Sequence, residues 1–279
     1  MSIKNTVKVM NFHALLRVPE ARRRVDLAFE YERELKYIIS SIVNNRIFKQ
    51  EHLSLDLDPS CKELNIYIGS DLGFCANFNS NIISYLRADD DENDKIIIGR
   101  KIRVSVENEL MFISNEEFDE RFDDLFDVVL DGLLNYKYSK VNLIYTHYFN
   151  ISRQEMVKRT ILPFDYGGDI LDEDDKREIH KLDDYVVEGD LNFIIWNLIS
   201  IYITMEIKIA KAWSYATENV QRQAFTDNSL KKIDEREEEK KKIELKSKKA
   251  ESFKTIVEMN NRKLRSRKEA EEWMRLLVL

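Results

Sequence analysis

Three groups of residues in this chain could do chemistry: a glycine-bracketed turn, two cysteines and four histidines. Gly69-Ser70-Asp71-Leu72-Gly73 follows an apolar, β-rich run and could cradle phosphate through its backbone N–H groups. It lacks the Gly-Lys-Ser/Thr ending of a P-loop and the third glycine of a dinucleotide fingerprint, so the spacing favours a plain strand-to-helix turn. Cys75 sits where a helix start could lower its pKa, but a buried thiol filling space accounts for it better. His13, His52, His147 and His180 are scattered without metal-ligand spacing. The acidic runs 89–94 and 169–175 lack the spacing and the glycine of a calcium loop, and read as solvated. With no Walker A sequence, the chain is expected to carry no ATP-hydrolysing site, and neither a cofactor nor a metal is implied.

The elements around these residues are few and long. The chain has 279 residues with only 7 glycines and 3 prolines, which leaves few places to turn. A net charge of −7 argues against nucleic acid as the main partner. Two cysteines make no disulfide framework and point to a reducing, cytoplasmic setting. Residues 1–10 lack the layout of a signal peptide. The most apolar run, Phe193 to Ala210, carries Glu206 and Lys208 and reads as a buried helix rather than a membrane span, so direct membrane insertion is not expected.

Periodicity gives the order. Ala28, Tyr31, Leu35, Ile38 and Ile42 recur at three- and four-residue steps, one stripe of a helix over about 18–50, which Pro19 either starts or kinks. Leu64–Ile68, Ile96–Ile98, Leu110–Ile113 and Val141–Tyr148 read as strands. Asn77–Leu86 reads as a helix, and a second runs from a Ser114 or Asn115 cap to about Tyr136. Strands alternating with helices predict an α/β fold with a parallel-type sheet. After Leu162-Pro163 comes a polar, acidic stretch, then a candidate edge strand at Tyr185–Val187. Helix propensity holds from Leu191 to the end. Ile243, Ala250, Val257 and Leu264 lie seven apart with Phe253 between them, but Lys246, Asn260 and Arg267 spoil the seam. From Val220 to Leu279 one helix would span roughly 90 Å at about 1.5 Å per residue. That is too long for a compact core and requires another helix to lie against.

Several stretches in order are similar to one family. Arg24-Val25-Asp26-Leu27-Ala28-Phe29 looks like a loosened Lys-Ile-Thr-Lys-Ala-Met. Ser70 through Asn79 resembles Ser-Asp-Arg-Gly-Leu-Cys-Gly-Gly-Leu-Asn. Ile98-Gly99-Arg100-Lys101, the strand Val141 to Phe149, Leu162-Pro163 and Tyr185-Val186-Val187-Glu188 follow, and Thr226-Asp227-Asn228 is identical to the family's motif. The chain thus resembles the γ (central rotor) subunit of F-type ATP synthases over nearly its whole length. It departs from the pattern at Leu72, where the family has Arg, and at Ala76-Asn77, where it has two glycines. Its Asn261-Arg262 to Arg265 segment lies some twenty residues late.

The resemblance implies a Rossmann-like body over 64–190 and an antiparallel coiled coil of an N-terminal helix, 18–50, with a C-terminal helix, 191–279. It implies a rotor shaft without a catalytic site, turning inside a ring of alpha- and beta-like catalytic subunits at the inner face of the cell membrane. An epsilon-like subunit and either a membrane rotor ring or gliding machinery are further partners. Contacts to the ring are expected at Arg22, Arg23, Arg24 and Arg33, which would meet an acidic lever, at Thr226, Asp227 and Asn228, at Arg262 and Arg265, and at the tip residues Trp273, Met274, Leu276 and Leu277. The Asn-, Lys- and Ile-rich composition fits a mollicute, a group whose divergent F-type-like ATPases include one tied to gliding. Two rival classes remain open from the residues: a non-rotating coiled-coil tether, and a nucleotide-binding enzyme built on the α/β body.

Overall fold

A computed structural model describes residues 3–43, 57–150, 152–163 and 191–277. The described elements are α1 (Ile3–Val43), β1 (Lys62–Ile68), α2 (Phe78–Ala88), β2 (Asp94–Ile98), β3 (Glu109–Ile113), α3 (Phe122–Leu134), β4 (Tyr138–Tyr148), β5 (Gln154–Leu162) and α4 (Leu191–Leu277). The candidate edge strand at Tyr185–Val187, the acidic run 169–175, His52 and His180 lie outside the described residues.

The chain divides into two compact units. One is Lys8–Thr226; the other joins Met1–Val7 to Asp227–Leu279. In the larger unit five strands form one sheet in the order β3-β2-β1-β4-β5. β1, β2, β3 and β4 pair in parallel, as alternating strands and helices predict. β5 is antiparallel to β4, with Tyr145 opposite Val157, and so makes the sheet mixed. The sequence reading missed β5 because an edge strand solvated on one face keeps only a weak apolar alternation; Glu155 and Lys158 are exposed while Ile161 and Leu162 are buried.

The pleat sends alternate residues to opposite faces. Leu64, Ile66 and Ile68 of β1, with Ile96, Ile98, Val141 and Leu143, pack under α3, α1 and α4. Tyr67, Ile97 and Ile144 face the other way, against Phe78, Ile82 and Leu86 of α2. Gly99 has φ +117, and a Cβ there would lie 2.7 Å from the carbonyl carbon of Gly69. Only glycine fits this strand end, which is the physical reason for its place in the motif.

α1 starts at Ile3, well before Pro19, which lies inside it. Its buried residues in the larger unit are Ala14, Val18, Ala21, Val25 and Ala28. These alternate at steps of four and three, a heptad seam of small side chains. Val18, Ala21, Val25 and Ala28 pack in one cluster with Ile203, Ile207, Ala210, Trp213 and Val220 of α4. The seam therefore lies mostly N-terminal to the stripe read from sequence, and it meets that stripe only at Ala28. Tyr31 is exposed. The side chains of Leu35, Ile38 and Ile42 lie outside the described set. The helices are antiparallel here: Asn11 Nδ2 donates to Thr226 Oγ1 at 3.0 Å, while farther along α1 the Arg24 guanidinium lies 5.3 Å from the centre of the Tyr215 ring.

In the smaller unit Lys4 Nζ reaches both Asp234 and Glu237 at 2.6 Å. The widely spaced seam residues Ile243, Phe253 and Val257 are exposed. Ser114 and Glu117 do form the reciprocal hydrogen bonds of a capping box. Turns follow it, however, and the helix starts only at Phe122. Among the described residues no helix is long and apolar enough to cross a membrane.

Candidate functional site

In an open parallel sheet the usual ligand crevice lies outside the carboxyl ends of the strands, where neighbouring connections diverge. In this chain α4 occupies that place. Ser214 Oγ donates to the Ile68 carbonyl at the end of β1 (3.2 Å), and Thr217 Oγ1 donates to the Thr146 carbonyl near the end of β4 (3.3 Å). One turn on, Arg222 Nε donates to the Gly73 carbonyl at 3.2 Å. These three bonds come from one side of α4 and fasten it at three points, two on the sheet and one on the loop after β1. The hydroxyls are wholly buried, so each bond also satisfies a group that would otherwise be costly to bury.

The Arg222 guanidinium also pairs with Glu218 one turn back on α4. Both residues are buried. Burial pushes the Glu218 carboxyl up from its ordinary range, and the Arg222 charge opposes that shift. The turn that resembles a phosphate cradle is spent internally. The Asp71 carboxylate accepts the backbone N–H groups of Arg100 (2.7 Å) and Asn115 (2.9 Å), and Ser70 Oγ donates to the Leu72 carbonyl at 2.7 Å. Burial pushes the Cys75 thiol up, which agrees with a space-filling rather than a reactive role. In the acidic run 89–94, Asp89 accepts hydrogen bonds from Asn65, Tyr67 and Asn93, and Asp94 from Lys62 and Tyr138. His147 stacks on Trp213 with ring centres 4.1 Å apart.

Beside the seam lies an open groove of about 470 Å³, lined by α1, α4 and the segment before α3. Burial pushes the Lys211 ammonium on its wall down to about 8, against the raising influence of Glu218, Asp71 and Asp119. In the unfolded chain this group titrates near 10.5. Its cost to folding is therefore fully present below about pH 8 and fades as pH rises toward 10.5. Lys211→Met is expected to stabilise the chain by roughly 2 kcal/mol at neutral pH, after allowance for the side chain's partial exposure. Urea titrations at neutral pH and near pH 10.5 check this; the gain should vanish at the higher pH.

The residues expected to touch a surrounding ring fall in different places. Arg22, Arg23 and Arg24 are exposed on α1, and Arg24 pairs with Glu20 at 2.7 Å. Arg33 is exposed beside Glu34. Thr226 is wholly buried: its hydroxyl donates within α4 and accepts from Asn11, so it joins the helix pair rather than a partner surface. Asp227, Asn228, Arg262, Arg265 and Met274 are exposed on α4. Trp273, Leu276 and Leu277 lie in α4, with side chains outside the described set. The sequence reading missed Ser214, Thr217, Glu218 and Arg222. The available signal was a polar group recurring at three- and four-residue steps inside an otherwise apolar helix.

A family model described as ATP synthase matches residues 1–250. The chain is 26% identical over 245 residues to the ATP synthase gamma chain of Syntrophus aciditrophicus, covering 83% of this chain and 82% of that one. It is 25% identical over 248 residues to the ATP synthase gamma chain of Clostridium perfringens, covering 84% of each. In fold it is similar to a chain in the central stalk and c-ring of the Tetrahymena thermophila mitochondrial ATP synthase. That match has a TM-score of 0.61 at 18% identity and covers 80% of this chain and 99% of the other. With nine-tenths of its length matched by that model, this chain belongs to the ATP synthase family in which those relatives are gamma chains.

Proposed function

We propose that the chain is the central shaft of a rotary ATPase. It would couple ATP hydrolysis or synthesis in a ring of alpha- and beta-like subunits to rotation, without a catalytic site of its own. The observation that carries this reading is the three-point fastening of α4 to the ends of β1 and β4 and to the Gly73 carbonyl. Torque applied to α4 then turns the sheet with it instead of twisting a soft joint. Ile243, Leu245, Phe253, Ile256 and Met259 leave large apolar surface exposed on α4, which suits burial in a partner's sleeve. Asymmetric helices that present different faces to like subunits bias each site in turn, a population shift set by differential contacts.

In this reading 18–50 and 191–279 contribute the shaft and 64–190 the body. Arg22, Arg23, Arg24, Arg33, Asp227, Asn228, Arg262, Arg265, Met274 and the tip residues Trp273, Leu276 and Leu277 face the ring. The complex would sit at the inner face of the cell membrane, held through partners that include an epsilon-like subunit. Departures at Leu72 and Ala76-Asn77 lie in the body, the part expected to face what the shaft drives. They motivate a second reading, in which the output is gliding machinery in place of an ordinary proton-driven rotor ring. The nucleotide-enzyme alternative is weakened because α4 fills the strand-end crevice. The tether alternative predicts turnover that survives fixing α4 to its neighbour.

Affinity purification of the native complex followed by mass spectrometry should return alpha- and beta-like catalytic subunits in excess over this chain. Recovery of the chain without them would remove the shaft reading. Proton pumping by the purified complex in vesicles would remove the gliding output and leave the shaft intact.

A further inference from the structure

The groove beside the helix seam gathers three cations on its walls, against one wall carboxylate. Its walls hold Arg24 and Tyr31 from α1, Lys208, Lys211 and Tyr215 from α4, and Asn115, Phe118 and Asp119 from the segment before α3. Each cation sits over an aromatic face. Arg24 lies 5.3 Å from the Tyr215 ring centre, Lys208 Nζ 4.6 Å from that of Phe122, and Lys211 Nζ 5.4 Å from that of Phe118. Arg24 has Glu20 as an ion-pair partner; Lys208 and Lys211 have none within 4 Å among the described residues. The charged or titratable groups facing Lys211 are Glu218, Lys208 and Tyr215 on its own helix, Arg24 and Tyr31 on α1, Asp71 after β1, and Asp119. Asp119 is the one carboxylate on the wall, against three cations. Asn115 adds a buried Oδ1 with no hydrogen-bond partner. An unpaired buried acceptor is costly unless a donor meets it.

We propose that this groove binds a phosphoryl anion, with the charge held between Lys208, Lys211 and Arg24. The volume of about 470 Å³ falls within the roughly 300–1,000 Å³ range of small-molecule sites. Two sources share this chemistry. Free phosphate would use the cations alone. A nucleotide would also lay its base on Tyr31 or Tyr215 and offer an N–H to Asn115 Oδ1. The low pKa of Lys211, about 8, fits a cationic site kept partly desolvated until an anion arrives. Binding restores the lysine's proton, so occupancy and protonation are linked.

Calorimetric titration of the full chain at low salt tests this, with sulfate, inorganic phosphate, adenosine monophosphate and adenosine as probes. Phosphate and the nucleotide should bind saturably, and adenosine should not. A nucleotide that binds tenfold or more tightly than phosphate identifies the nucleotide source; equal affinities identify free phosphate. Sulfate does not titrate in this range, so its binding near pH 8 should take up roughly half a proton from buffer, and almost none near pH 6.5, as a lysine with that pKa requires. The double variant Lys208→Gln/Lys211→Gln should lose at least about tenfold in affinity, while Lys248→Gln, on the exposed part of α4, should lose nothing. Absence of saturable binding, or no proton uptake by the unaltered chain, overturns the site. The proton measurement needs no variant, so it stands even where the double variant fails to fold. Either result leaves the shaft reading untouched, because that rests on α4 and the strand ends.

Discussion

Arg222→Ala should be among the most damaging single substitutions in the larger unit, costing about 3–5 kcal/mol. The guanidinium holds two groups at once, the buried Glu218 carboxylate and the Gly73 carbonyl. Its removal leaves a carboxylate buried between α4 and the loop after β1, without its partner. Since burial already pushes the Glu218 carboxyl up, the variant escapes part of the penalty by protonating it. The loss should therefore shrink as pH falls through the raised pKa of that carboxyl. Glu218→Gln/Arg222→Met removes both charges and should recover most of the stability, since a buried pair replaced by well-packed neutral groups is often neutral. Urea denaturation of the three variants across pH checks each step. A loss below about 1 kcal/mol for Arg222→Ala would mean the pair is solvated. Domains have only about 5–15 kcal/mol to lose, so the single variant should also lower the yield of assembled complex.

Charge reversal at Arg23 and Arg24 should leave assembly intact and lower ATP turnover of the complex by about tenfold, equivalent to roughly 1.4 kcal/mol on the barrier. Both side chains are exposed on α1: Arg23 lies opposite the buried steps Ala21, Val25 and Ala28, and Arg24 flanks them over Tyr215. Reversal therefore removes no packing. Within the chain Arg24 gives up its surface pair with Glu20 and its place over Tyr215, which together are worth little to folding, along with its part in the anion groove proposed above. What changes is the meeting of this face with an acidic lever on the surrounding subunits, where like charges brought together cost several kcal/mol. Steady-state turnover measured beside size-exclusion profiles separates the two effects. Unchanged turnover would remove both residues from coupling; loss of the assembled peak would make them assembly contacts instead.

Much of the fold was legible because its signals are local. The apolar run at Ile96–Ile98, the glycine that ends it, and the unbroken helix propensity after Leu191 all mark elements found where expected. What escaped depends on partners far along the chain. β5 is an edge strand whose exposed residues, Glu155, Lys158 and Thr160, are polar, and only its pairing with β4 defines it. The α1 seam is built from alanines and valines, whose small side chains carry little hydrophobic signal but let two helices approach closely. Tyr31 looks like a core residue by spacing and is exposed, because the seam selects small groups on another face.

The candidate site was less legible. Surface arginines announce themselves by charge. Ser214, Thr217 and Arg222 matter because α4 lies across strand ends; their recurrence in an apolar helix marks them as unusual, but no local pattern reveals what they bind. Thr226 shows the converse: its motif was recognised, but its hydroxyl serves the contact with Asn11 rather than a partner.

The most direct test is to fix the catalytic ring to a surface, attach a bead to the sheet through a cysteine at exposed Ser152, and watch the bead while ATP is supplied. Continuous one-way rotation that stops when α4 is crosslinked to the ring, with turnover stopping at the same time, is the result expected of a shaft fastened to its body. A stationary bead with ATP still being hydrolysed, or turnover that persists after the crosslink, would contradict it.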